Sequence, residues 1–186
     1  MRGHALTTFV ALLRGINVSG RRAIPMGALR ESCKALGLDD VRTYLQSGNL
    51  VIRVGGQRPH ELAAHLRDAI ARKFRHQVQV QAFSARQWER VVGANPLRPG
   101  TGARASLYHA TFLSSSVPER RFRSLDLPAS AGERAMMVGK VIYLYCPNGY
   151  GKTKLSNAFF EKAFQLSATT RNWRTILALR DMCTGR

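Results

Sequence analysis

The sequence predicts an α+β protein made of two ferredoxin-like (βαββαβ-type) antiparallel halves plus a C-terminal helix. Three observations predict it. Over about residues 1–83 the hydrophobic period alternates between strand and helix in the order βαββαβ. A stretch rich in Gly and Pro, GANPLRPGTGARAS (93–106), then interrupts the pattern as a linker would. After it the same order starts again, as strand, short helix, two strands and a helix, to about residue 166.

Each element has its own warrant. Thr8 to Leu13 is an apolar strand, and it runs into a polar, glycine-punctuated loop, Arg14 to Arg22. Pro25 suits the first turn of a helix, Met26, Leu29, Cys33 and Leu36 give that helix one stripe, and Gly37 ends it. Val41 to Gln46 and Leu50 to Val54 read as strands joined by a tight Ser47-Gly48-Asn49 hairpin. A helix over about 59–74 places Leu62, Leu66, Ala69, Ile70 and Phe74 on one face, and Gln77 to Phe83 is a fourth strand. Ser84 with Gln87 forms a capping box for a short helix carrying Trp88, Val91 and Val92. Beyond the linker come a strand at 107–113, a short helix at 118–125, and strands at 135–138 and 141–145 around a Gly139-Lys140 turn. A helix is expected from Thr153, and a final helix over about 172–182. The predicted division is 1–83, a short helix and linker at 84–106, a second half at 107–166, and a C-terminal helix within 167–186.

Composition bounds the partners. The chain has 186 residues, 45% of them apolar, which suffices for a packed core. Its net charge is +18, so polyanions are the expected partners: RNA, DNA or a phosphorylated small molecule. The basic residues are mostly arginine and form no dense tract, so a compositional bias towards arginine would give the same balance. Cys33, Cys146 and Cys183 are far apart, with no C-x-x-C and no zinc spacing to the five histidines. They read as reduced thiols in a cytoplasmic protein, with no metal and no cofactor expected. The apolar run Phe9 to Leu13 ends at Arg14, too short for a secretory signal, and nothing approaches a membrane span.

Two sets of polar residues stand out. In PNGYGKTK (147–154) Lys152 and Lys154 stand at the start of the expected helix, where the helix dipole disfavours cations unless an anion is bound. The expected anion or ligand site comprises Asn148, Lys152, Thr153 and Lys154, with Arg171 and Asn172 closing it from the far side. This is no P-loop, because Cys146 stands where the first glycine belongs, and the plain alternative is an ordinary strand-to-helix connection. The second set is a polar edge. A split βαβ puts the loop after strand one beside the hairpin of strands two and three, so Arg14, Asn17, Gln46, Ser47 and Asn49 should converge. The plain alternative there is that the asparagines only form turns.

LLRGINVSG (12–20), IPM (24–26), VRTYLQSGN (41–49), ANP (94–96), PNGYGKTKLSN (147–157) and TTRNW (169–173) together resemble the family known as domain of unknown function 1697. The resemblance spans nearly the whole chain. Members usually read RGINVGG, where this chain has Ser19, and often Arg-Ser where it has Lys152-Thr153. The resemblance implies a bacterial, cytoplasmic αβ protein and no particular reaction.

The motif residues are amides, hydroxyls and cations, with no Asp, Glu, His or Cys among them, which suits phosphates and bases better than acid–base chemistry. Glu61, Asp68, Glu89 and Glu161 fall on helices, where solvated faces explain them. Trp173 and Tyr145 are candidate stacking faces, and Tyr143 shares a strand face with Tyr145. The expected function is binding of nucleic acid or a phosphorylated ligand. The alternative is an enzyme acting on a small anionic substrate, with Lys152 or a tyrosine as proton carrier.

Overall fold

The computed structural model describes residues 5–17, 23–38, 40–100 and 103–185. The element order is β1 (Leu6–Leu13), α1 (Met26–Lys34), β2 (Asp40–Tyr44), β3 (Asn49–Gly55), α2 (Pro59–Phe74), β4 (Val80–Ser84) and α3 (Ala85–Gly93), then β5 (Tyr108–Leu113), α4 (Glu119–Arg123), β6 (Arg134–Val138), β7 (Val141–Tyr145), α5 (Asn157–Phe164), β8 (Ala168–Asn172) and α6 (Trp173–Thr184). Two compact units result: Met1–Arg90 with Ala178–Arg186, and Val91–Leu177.

The first unit is a four-stranded antiparallel sheet in the order β2-β3-β1-β4. Strand alternation sends Phe9, Ala11 and Leu13 of β1, with their partners Ile52 and Leu50 of β3, to the face covered by helices. Against them pack Met26, Leu29 and Cys33 of α1 and Leu62, Leu66 and Ile70 of α2. The helix ends are set locally. Pro59 opens α2, and the Arg58 N–H donates to the Glu61 carboxylate at 2.7 Å. The expected capping box of α3 is present: Ser84 N–H donates to Gln87 Oε1 at 2.8 Å, and Gln87 N–H to Ser84 Oγ at 3.2 Å.

The second unit repeats the topology as β6-β7-β5-β8, again antiparallel throughout. Its core joins Leu113, Ile142, Leu144 and Ala168 of the sheet to Phe160 and Phe164 of α5 and Phe122 of α4. The α+β class with two antiparallel halves is therefore the one the sequence predicts, and the second half gains a closing strand that the sequence does not announce.

Four local expectations are corrected. The second half does not stop at 166: Ala168–Asn172 forms β8 and completes the sheet beside β5. Its polar sequence, ATTRN, hides the strand from a hydrophobic-period reading. The last helix begins at Trp173, and its end from Ala178 belongs to the first unit rather than forming a separate appendage. The β2–β3 turn is Leu45–Gly48, not a hairpin at 47–49, because Leu45 (φ 56°) and Gly48 (φ 76°) take the left-handed conformation that closes it. Finally, α5 starts at Asn157, not Thr153. Ser156 is its N-cap, with Oγ accepting from Phe159 N–H at 3.3 Å, and Tyr150–Lys152 forms only a 3-10 turn.

Candidate functional site

At one end of the first sheet, β1 and the β2–β3 turn meet as expected. Leu13 N–H donates to Gly48 O at 2.8 Å, and Asn17 Nδ2 donates to Gln46 O at 2.8 Å. Arg14 leaves β1 there, its N–H donating to Gln79 O at 2.9 Å. The asparagines spend their amides on neighbouring groups of their own loops, mostly main chain. Asn17 (φ 53°) also donates to Ile24 O at 2.9 Å and accepts from Ile24 N–H at 2.8 Å. Fully buried Asn49 donates to Tyr44 O at 2.9 Å and Ser47 Oγ at 3.0 Å. Arg14, Asn17, Gln46, Ser47 and Asn49 thus share one end of the sheet, and the two asparagines act there as clasps that hold loops. Gly48 is required by this closeness: a Cβ there would lie 2.7 Å from Leu13 Cβ and 2.9 Å from Ile16.

In the second sheet the glycine loop, residues 146–156, lies between β7 and α5, at the end equivalent to the β3–α2 junction of the first sheet and opposite to the end that holds the β6–β7 turn. Cys146 N–H donates to Leu107 O at 2.9 Å, which ties the loop to the start of β5. Its inner side is fixed by side chains. The Tyr150 ring stacks on His109 with centroids 4.8 Å apart and planes 29° apart. The Tyr150 hydroxyl donates to Thr170 Oγ1 at 3.1 Å, Thr170 Oγ1 donates to Asn157 Oδ1 at 2.7 Å, and Thr111 Oγ1 lies 2.7 Å from Thr170 Oγ1. Thr153 Oγ1 accepts from Leu155 N–H at 3.0 Å. On the outer side, Asn148, Lys152 and Lys154 are exposed.

This geometry changes the expected site. The helix begins five residues after Lys152, and Lys152 N–H and Thr153 N–H already donate to Gly149 O and Tyr150 O, at 3.2 and 3.4 Å. The dipole argument for an anion between Lys152 and Lys154 therefore lapses, and what remains is an exposed cationic loop. Arg171 and Asn172 do not close it together, because neighbouring strand residues point to opposite faces. Asn172 lies on the helix-covered face: its Nδ2 donates to Ser106 O at 2.8 Å and sits 3.1 Å from His109 Nε2, and its Oδ1 accepts from Arg174 N–H at 3.0 Å. Arg171 is buried on the other face, donating to Thr169 Oγ1 and Thr170 O at 2.8 and 2.9 Å. Burial lowers its pKa to about 10, so it stays charged at neutral pH.

Burial sorts the stacking candidates in the same way. Tyr143 is 1% and Trp173 3% exposed, so neither offers a face to a ligand. Tyr143 instead donates its hydroxyl to Val91 O at 2.8 Å. Tyr145 remains half-buried, its ring between Tyr108 and the Arg134 guanidinium. Glu161 is not a solvated acid, since its Oε1 accepts from Ala168 N–H at 2.8 Å and anchors β8.

His109 is the polar residue that the sequence reading missed. It sits alone inside an apolar strand, HATFL, where nothing marks it as facing Tyr150 and Asn172. Asn172 Nδ2 must donate, because Ser106 O and Arg174 N–H fix the amide, so His109 Nε2 must accept. The ring is neutral. Burial pushes its pKa down to about 4, outweighing the Leu107 main chain, which acts the other way. Burial also raises Tyr143 to about 12, and raises Tyr150.

Among the described residues no group of three His, Cys, Asp or Glu is placed to hold a metal ion, and no helix is long and apolar enough to cross a membrane. Three open clefts, of about 330, 490 and 300 Å3, have walls made by other residues; neither Lys152 nor Lys154 lines them.

Fold and loop together define a small doubled antiparallel α+β protein with a long glycine-rich connection in its second half. The chain belongs to the family described as "Protein of unknown function (DUF1697)", whose model matches residues 6–143. The match ends before the glycine loop. Among solved structures the chain is similar to the conserved bacterial protein SP0830 from Streptococcus pneumoniae, with a TM-score of 0.73 and 22% identity over 96% of this chain and 99% of that one. At that identity the likeness concerns the fold. No curated protein matches the chain.

Proposed function

We propose that the protein binds nucleic acid or a phosphorylated ligand, and that the glycine loop of the second unit contributes cations to that contact. The observation that carries this reading is the division of labour within residues 147–154. Tyr150 and Thr153 hold the loop in one shape, while Asn148, Lys152 and Lys154 are left exposed. A fixed loop loses less side-chain and main-chain freedom when a ligand docks. The charge balance supports it. With 29 Lys and Arg against 11 Asp and Glu, most cations have no acid to pair with. Several acids are already taken by neighbours, among them Asp40 with Arg53, Glu61 with Arg58 and Glu119 with Arg123.

The enzyme alternative is weaker. Tyr143 and Tyr150 are pushed towards their protonated forms, so neither is poised to take a proton at neutral pH. The same reading makes the chain a ferredoxin-like protein of the bacterial cytoplasm. The doubled βαββαβ order, three free thiols and a bacterial structural relative support it.

The test is binding to a labelled RNA and DNA across a salt series. Affinity should fall steeply with salt as counterions are released, and Lys152→Ala with Lys154→Ala should flatten the slope of log K against log salt by roughly 1.5–2. Absence of binding at low salt, for either polymer and for phosphorylated small molecules, refutes the reading.

A further inference from the structure

The end of the second sheet that carries the glycine loop also carries an aromatic column, on the face opposite α4 and α5. Arg134 of β6, Tyr145 of β7 and Tyr108 of β5 lie opposite one another in register. The two tyrosine rings are 4.8 Å apart, and the Arg134 guanidinium lies over the Tyr145 ring at 5.1 Å. Tyr108 is buried, Tyr145 half-buried and Arg134 exposed. The outermost member of the stack is therefore a flat cation open to solvent on its far side. Arginine planes of this kind accept nucleobases as readily as aromatic rings do.

A second observation extends the column. Along β6 every other residue shares the face of Arg134, and these are Met136 and Val138, 46% and 43% exposed. Large apolar side chains this exposed are few among the described residues, and two of them stand in line on one edge strand. Lys140 is exposed in the turn at one end of this strip. At the other, a Cβ on Gly132 would lie 3.5 Å from Pro147, so the start of β6 abuts the start of the glycine loop. An apolar strip roughly 13 Å long, at about 3.3 Å per residue, thus runs between Lys140 at one end and the start of the loop that carries Lys152 and Lys154 at the other.

That alternation of flat or apolar surface with cations at the ends fits a particular polyanion. We infer that the ligand is a single-stranded nucleic acid, with bases laid on Arg134, Met136 and Val138 and phosphates met by Lys140, Asn148, Lys152 and Lys154. This rests on the polyanion reading and narrows it. A duplex hides its base faces and offers only phosphates to such a strip, and an inorganic polyphosphate has no bases at all.

The experiment separates the two levels. Fluorescence anisotropy at low salt compares a short oligothymidylate, an abasic oligonucleotide of the same length, and a duplex. The full-length protein should prefer the base-bearing single strand by about fivefold or more. Arg134→Lys keeps the charge but loses the plane, and it should abolish that preference while leaving abasic binding unchanged. Tyr145→Leu should act in the same direction. Arg134 is exposed, so its variant tests the stack without disturbing the core. Equal affinity for all three probes, unchanged by Arg134→Lys, overturns the inference and leaves the polyanion reading standing. No binding to any probe overturns both. A protein that sediments as a dimer and becomes monomeric on Met136→Ser, with no base preference, assigns the strip to a second copy of the chain and also overturns it.

Discussion

Acidification should destabilise the second unit through His109 in particular. The neutral ring is held between the Tyr150 face and an Asn172 amide whose NH2 can only donate. A proton on Nε2 would set donor against donor and bury a charge. The folded-state pKa is about 4 against an ordinary 6.5. For a base held neutral, this stability is fully present above pH 6.5 and is lost as pH falls from there towards 4. Below 4 the folded site protonates as well, and the loss levels off. The gap corresponds to roughly 3 kcal/mol at the lower end. The chain has two tryptophans, Trp88 in the first unit and Trp173 in the second. Urea unfolding of a Trp88→Phe protein therefore reads the second unit through Trp173. In that background, stability should drop by about 3 kcal/mol between pH 6.5 and 4 more steeply than in a His109→Phe variant, which keeps the ring but cannot titrate. Parallel pH profiles for the two proteins would refute the account of a neutral His109.

Two further outcomes follow from the packing. Gly48→Ala combines a left-handed backbone with a Cβ driven against Leu13 and Ile16, and should cost roughly 2–4 kcal/mol in denaturant unfolding; a cost below about 1 kcal/mol would mean the turn relaxes freely. Burial raises the thiols of Cys33, Cys146 and Cys183 to about 11, so at pH 8 only about one in a thousand is thiolate and native labelling by a disulfide reagent should be slow, becoming rapid in urea.

The sequence announces the fold wherever apolar period and turn chemistry agree. Phe9 to Leu13, the α2 stripe and the Ser84–Gln87 box each give a local signal that tertiary packing reinforces. β8 lacks that signal, because Thr169, Thr170, Arg171 and Asn172 fill a strand whose inward positions are polar and satisfied by Thr111, Asn157 and His109. The sequence places the helix start too early because Leu155, though buried, belongs to the loop and only mimics the α5 stripe. For the candidate site, the sequence indicates the exposed loop cations but not what stands behind them. His109 and Tyr150 are 41 positions apart, and only the pairing of β5 with β7 and β8 brings them into contact. The meeting of Arg14, Asn17 and Gln46 was legible for the opposite reason, since split-βαβ connectivity alone requires it.

Because the chain builds the same topology twice, each half serves as a control for the other. The junction from the third strand to the second helix takes three residues, 56–58, in the first unit, and Arg58 uses them to reach the Glu61 carboxylate at once. The equivalent junction in the second unit takes eleven, 146–156. The first copy demonstrates that the chain path can be closed with about a quarter of that length. The converse holds at the other junction: the link from first strand to first helix spans 14–25 in the first unit but only 114–118 in the second. Each copy has thus kept one connection minimal and enlarged a different one. The surplus residues are not a requirement of folding, and in each half they mark the place where the chain spends length on something the scaffold does not need.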